Sequence, residues 1–158
     1  MHTRACSPKT GTLEPVSETT GALNDPKLDA TAVTELYGLV GWNAQGQRTP
    51  ERTSRAIQAS VCYASAVQDG RLVGFGRISG DDYAAQIVDV ITHPGHRHQG
   101  IATRIMHTLL NAAKDQVLGL VLVDGSGFSD FYERFGFTTA DPTSDRLMYW
   151  TQRSGATT

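Results

Sequence analysis

The chain has 158 residues, 39% of them apolar and 19% charged, with a formal net charge of -2 at pH 7. That length suits one domain around one core, and the slight acidic excess gives none of the basic face that duplex nucleic acid requires. No apolar run reaches the roughly 20 residues that span a bilayer, and the first 30 residues lack the apolar centre of a secretory signal. A cytoplasmic protein with neither membrane nor nucleic-acid partners is the expectation.

Residues 1–28 are rich in Thr, Ser, Gly, Pro and charge without a period, and read as a flexible arm. Only Leu13-Glu14-Pro15-Val16 has the pattern of a short edge strand there. From Asp29 onward Ala32, Val33, Leu36, Tyr37, Leu39 and Val40 recur at helical spacing, which predicts a helix that Gly41 stops. A polar loop from Asn43 to Gln47 follows. Thr49 as N-cap and Pro50 in the first turn then open a second helix, running to about Ser60 with Ala56, Ile57 and Ala59 facing inward. Residues 60–67 and 71–78 read as strands joined at Asp69-Gly70, a two-residue hairpin turn.

Residues 86–93 are dense in β-branched side chains and are stopped by Pro94-Gly95, as a strand running into a turn should be. Beyond Arg97-His98-Gln99-Gly100 the period changes. Ile101, Ile105, Met106, Leu109, Leu110 and Ala113 recur at helical spacing, with Arg104, His107, Thr108, Asn111 and Lys114 on the other face. Residues 118–123 form another buried-strand run, residues 129–134 a short helix, and residues 137–140 and 147–151 closing strands. The order gives an α/β sandwich with a mixed, mostly antiparallel sheet flanked by helices. The domain reaches from residue 29 to residue 153, and residues 154–158 are a disordered tail.

The turn Arg97-His98-Gln99-Gly100-Ile101-Ala102 carries the chemistry. Gly100 admits backbone angles closed to other residues, and the first amides of the following helix point outward unpaired. With the positive end of the helix dipole and the charge of Arg97 they make a site for a phosphate or pyrophosphate. This strand-turn-helix resembles the acyl-CoA signature of the GNAT superfamily of N-acetyltransferases: Arg or Gln, two residues, Gly, one residue, then Gly or Ala. Downstream, Phe131-Tyr132-Glu133-Arg134-Phe135-Gly136-Phe137 looks like the superfamily's aromatic-Tyr-Glu helix, and upstream Gly70-Arg71-Leu72-Val73-Gly74-Phe75-Gly76-Arg77 looks like a hairpin of its small members. The similarity covers roughly Leu36 to Trp150, and the motifs are far more specific together than singly.

The resemblance implies a GNAT fold, acetyl-CoA as co-substrate, and transfer to a primary amine of a small molecule, arylalkylamines included. Its rivals are transfer to a protein N-terminus or lysine, and a non-catalytic CoA-binding sensor of the same fold. It assigns Arg97, His98, Gln99, Gly100, Ile101, Ala102 and Thr103 to the pyrophosphate, and the main chain of Ile91 and Thr92 to the pantetheine arm. Tyr132 matches the tyrosine that gives a proton to the departing thiolate. Asp89 has two readings of equal weight: a proton acceptor for the amine, or the partner of an ion pair with Arg77 on the neighbouring strand.

Tyr37, Trp42, Asn43, Phe75 and Arg77 come from the regions that wall the acceptor site in similar enzymes. Trp42 is read either there or as a plug at the end of the core. His93, His96 and His98 lack the spacing of a metal site, and no metal is expected. Cys62 reads as a small strand residue, since direct transfer needs no acyl-enzyme. Many relatives dimerise, so a homodimer stands as an open expectation.

Overall fold

The computed structural model describes residues 18–125, 127–140 and 143. The chain divides into two compact units, the second beginning at Asp124. In the first, five strands line up in sequence order: β1 (Thr20–Leu23), β2 (Cys62–Gln68), β3 (Arg71–Gly80), β4 (Ala85–Thr92) and β5 (Leu120–Leu122). The first three pairings are antiparallel and β4–β5 is parallel. That mixed sheet is the expected one.

β1 lies within the stretch read as a flexible arm, and is a correction to it. Its sequence Thr-Gly-Ala-Leu carries no alternation, so its place is fixed by the ladder to β2, with Thr20 opposite Val67 and Leu23 opposite Ala64. The Leu13–Val16 segment and residues 147–151 lie outside the described residues. Residues 137–140 are described and form no strand. Residues 118–123, read as a buried strand, shorten to β5 and leave Leu118 84% exposed. Apolar composition alone could not tell an outer strand from an inner one.

The helices begin where their caps say. The Asp29 carboxylate accepts from the Thr31 amide at 2.8 Å and opens α1 (Ala30–Leu39). The Thr49 hydroxyl accepts from the Arg52 amide, and Pro50 starts α2 (Pro50–Gln58). α2 buries Thr53 and Ile57, whereas Ala59 is exposed. The Thr34 hydroxyl donates to the Ala30 carbonyl and also meets the Thr53 hydroxyl at 2.8 Å, tying α1 to α2. Asp69 and Gly70 both have positive φ, 50° and 73°, which matches the right-handed twist of the β2–β3 hairpin.

β3 sorts the two faces of the sheet by alternation. Phe75 packs with Val33, Leu36, Tyr37, Ile57 and Ile91 on the α1–α2 side. Gly74 and Gly76 face α3 (Ile101–Ala113), where a Cβ on Gly74 would come within 2.4 Å of Ile101 Cγ2 and one on Gly76 within 2.7 Å of Ile105 Cγ2. The two glycines are what let α3 lie flush on the strand. α3 buries Ile101, Ile105, Met106, Leu109 and Ala113 as its spacing predicts, whereas Leu110, expected with them, is half-buried.

Candidate active site

The ladder between β3 and β4 contains a bulge. Phe75 stands opposite Ile91 and Arg77 opposite Val88, so Asp89 and Val90 together face Gly76. Asp89 takes a left-handed backbone, φ 58°, a conformation that Asp tolerates better than bulkier side chains. The extra residue bends the strand and re-aims its neighbours. The Asp89 carboxylate turns toward α1, while Val90 lies beside Gly76 near Ile105 and Leu109 of α3.

Both readings of Asp89 now have a geometry. Its Oδ2 accepts from Arg77 Nε at 2.6 Å, the expected ion pair, and from the Tyr37 hydroxyl at 2.8 Å. Its Oδ1 has Arg48 Nη1 at 3.7 Å, and the side chain is only 12% exposed. Burial first, and then the neighbouring Asp89 carboxylate, push the Tyr37 phenol far above its ordinary value, against the smaller opposing pull of Arg77 and Arg48.

These groups form one end of a cavity of about 560 Å³, lined also by Trp42, Asn43, Arg52 and Thr53, a volume in the range of small-molecule sites. Trp42 therefore walls the cavity and does not plug the core. Its ring lies 6.5 Å from that of Tyr37 at 28°. Tyr37 and Arg77 line the cavity. Phe75 does not: it shares a face of β3 with Arg77, but it is 0% exposed because Val33, Leu36 and Tyr37 of α1 pack over it.

Arg48 escapes a reading of the sequence alone, since the loop between α1 and α2 has no period, and Arg52, in the first turn of α2, reads as an ordinary exposed helix charge. The loop is nevertheless fixed. Asn43 brackets Arg48, its side-chain amide donating to the Arg48 carbonyl and its side-chain oxygen accepting from the Arg48 amide, both at 2.9 Å. The Arg48 guanidinium sits 4.4 Å from the centre of the Tyr37 ring and 6.0 Å from that of Trp42.

At the end of β4 the chain makes one 3-10 turn, Pro94–His96, in which His93 Nδ1 accepts from the Gly95 amide and lies 3.2 Å from His96 Nδ1. His98 and Gly100 have φ of 62° and 75°. α3 begins with no side-chain cap, its first amide bond running from Arg104 to the Gly100 carbonyl. The amides of Ile101, Ala102 and Thr103 precede that bond, and a Cβ on Gly100 would meet nothing within 4 Å. Arg97, His98 and Gln99 are exposed beside them. Thr92 Oγ1 is buried and lacks a hydrogen-bond partner among the described residues. Open amides, a cationic side chain and an orphaned hydroxyl suit the pyrophosphate and polar arm of CoA.

The second unit carries α4 (Ser129–Glu133). Its Tyr132 ring meets Phe131 edge-on at 5.1 Å, and Ser129 Oγ donates to Asp124 Oδ2 at 2.9 Å. Burial, and to a lesser degree the Asp124 carboxylate, raise the Tyr132 phenol above its ordinary value, so it holds its proton across the neutral range.

Residues 31–137 match the model of the acetyltransferase (GNAT) family. An uncharacterized N-acetyltransferase, ycf52, of Porphyra purpurea is 29% identical over 143 residues, 83% of this chain and 80% of that protein. A probable acetyltransferase of methicillin-resistant Staphylococcus aureus superposes with a TM-score of 0.70 at 20% identity, over 85% of this chain and all of the other. A GNAT family protein of Streptococcus pneumoniae gives 0.69 at 24% identity, over 87% of this chain and all of the other. With its strand, turn and helix in the order the motifs required, the chain belongs to the acetyltransferase (GNAT) family.

Proposed function

We propose that the protein moves the acetyl group of acetyl-CoA to a primary amine of a small molecule, by direct attack of the amine in a ternary complex. The observation that carries this reading is the side-chain-walled cavity of about 560 Å³ ending on Asp89, at the bulge of the strand that leads into the phosphate turn.

Acetyl-CoA, when bound, supplies a thioester carbonyl to a neutral amine. Arg97, His98, Gln99, Gly100, Ile101, Ala102 and Thr103 hold its pyrophosphate, and main-chain groups of Ile91 and Thr92 pair with its pantetheine arm. Asp89 is the carboxylate that lines the cavity. Its Oδ2 is committed to Arg77 and Tyr37, so Oδ1 receives the ammonium and takes its proton, directly or through water. Tyr132 delivers a proton to the departing thiolate.

The test is thiol release from acetyl-CoA with arylalkylamines, polyamines, aminoglycosides, amino acids and short peptides in turn. Release that depends on a small amine supports the reading. Release with peptides alone, or none despite CoA binding, overturns it.

A further inference from the structure

The cavity is unequal in charge. Three guanidiniums, those of Arg48, Arg52 and Arg77, line it against one carboxylate, that of Asp89. The pairings are unequal too. Arg77 is spent on Asp89 at 2.6 Å. Arg48 stands 3.7 Å from the other carboxylate oxygen, with its side chain 41% exposed. Arg52 makes one long bond, 3.3 Å, to the Gln47 carbonyl. Among the described residues, at least one full positive charge therefore faces the cavity without a carboxylate to answer it.

A small cationic acceptor is poorly served by this wall. The aromatic faces of Tyr37 and Trp42, which would receive an alkylammonium or an aryl group, already carry the Arg48 guanidinium. Asn43 fixes the backbone from which Arg48 projects, so the cation is built into the site. A guanidinium with free donors suits a planar carboxylate or a phosphate, which it grips through paired N–H groups.

We propose that the acceptor carries an anionic group, a carboxylate or a phosphate, on the same molecule as its amine, and that Arg48 and Arg52 hold that group while Asp89 receives the ammonium. The acceptor is then a dipolar molecule such as an amino acid or an amino-sugar phosphate. The inference rests on the small-amine reading above and names the chemistry that reading leaves open.

The experiment uses matched acceptors differing only by the anion: phenylethylamine against phenylalanine, ethanolamine against phosphoethanolamine, and glucosamine against glucosamine 6-phosphate. Thiol release is followed for the full chain and for Arg48→Gln and Arg52→Gln. The anionic member of at least one pair should exceed its neutral partner in kcat/KM by about tenfold or more, and the responding pair identifies carboxylate or phosphate. Each substitution should remove most of that preference, leaving the Kd of CoA unchanged. Both side chains reach solvent, and melting curves confirm that the variants are folded.

Neutral amines used as well as or better than their anionic partners would overturn this inference and leave the small-amine reading standing. A preference for anions that survives both substitutions would overturn the assignment to Arg48 and Arg52. Silence with every amine, despite CoA binding, would overturn the underlying reading itself.

Discussion

Gly74→Ala tests how the fold sets the phosphate turn. The new Cβ would stand 2.4 Å from Ile101 Cγ2 and 3.3 Å from Ala66 Cβ, where carbon atoms ordinarily rest about 3.5–4.0 Å apart. Ile101 or β3 must therefore give way by more than an ångström. Overpacking of this kind costs about 1–3 kcal/mol, offset by about 0.4–1 kcal/mol from the less flexible unfolded chain. A net loss of roughly 1–2 kcal/mol lowers the melting temperature by roughly 2–8 °C for a chain of this size.

Because Ile101 opens α3 and its amide belongs to the turn, the same shift weakens CoA. Gly76→Ala presses on Ile105, one turn further along, at 2.7 Å. It should cost comparable stability and spare CoA affinity. Calorimetric titration with CoA and thermal unfolding give both quantities. Combining Gly74→Ala with Ile101→Ala should show favourable coupling of about 1–2 kcal/mol, since the second change removes the clashing methyl. A Gly74→Ala protein that melts like the parent, zero coupling, or equal CoA loss in Gly76→Ala would refute the reasoning.

Arg97→Glu places a carboxylate beside the open amides of α3 and should raise the Kd of CoA at least tenfold in titration. Tyr132→Phe should lower kcat by about 10²-fold, the lower end for a general acid because thiolate leaves readily, with the KM of acetyl-CoA little changed. Asp89→Asn keeps the bulge conformation but removes the charge that two hydrogen bonds use, and should cost about 1.5–3 kcal/mol in denaturant unfolding. For Tyr37 the native phenol is raised above its unfolded value of 10.0. The unfolded chain thus releases that proton first, and the stabilisation, complete below about pH 10, falls as pH climbs toward the native value. The stability difference between the parent and Tyr37→Phe should therefore hold steady up to about pH 9 and shrink as pH rises past about 10; a difference that stays constant there would contradict the assignment.

What the sequence made legible was local. Asp29, Thr49 and Asp69-Gly70 act on amides two or three residues away, so caps and turn were readable without the fold. The pairing of Asp89 with Arg77 was readable too, because a charge among β-branched neighbours demands a partner. Phe75 was misplaced because alternation puts it on the same face as Arg77 without showing which part of that face α1 covers. β1 depends on a ladder to residues more than forty positions away, and its four residues carry no sign of it. Arg48 reaches the cavity from a loop held by Asn43, a contact that no period announces, and Arg52 from the first turn of α2.

The bulge at Asp89 makes two adjacent residues answer to different selective demands. Val90 belongs to the glycine-tight contact with α3, where a change of one methyl is felt, whereas Asp89 belongs to a cavity whose far wall is a loop. Acceptor preference can accordingly be redesigned through positions 42 to 52 while the turn that grips the donor is left untouched. One scaffold thereby offers an interchangeable half beside a fixed one, and the boundary between them is a single peptide bond.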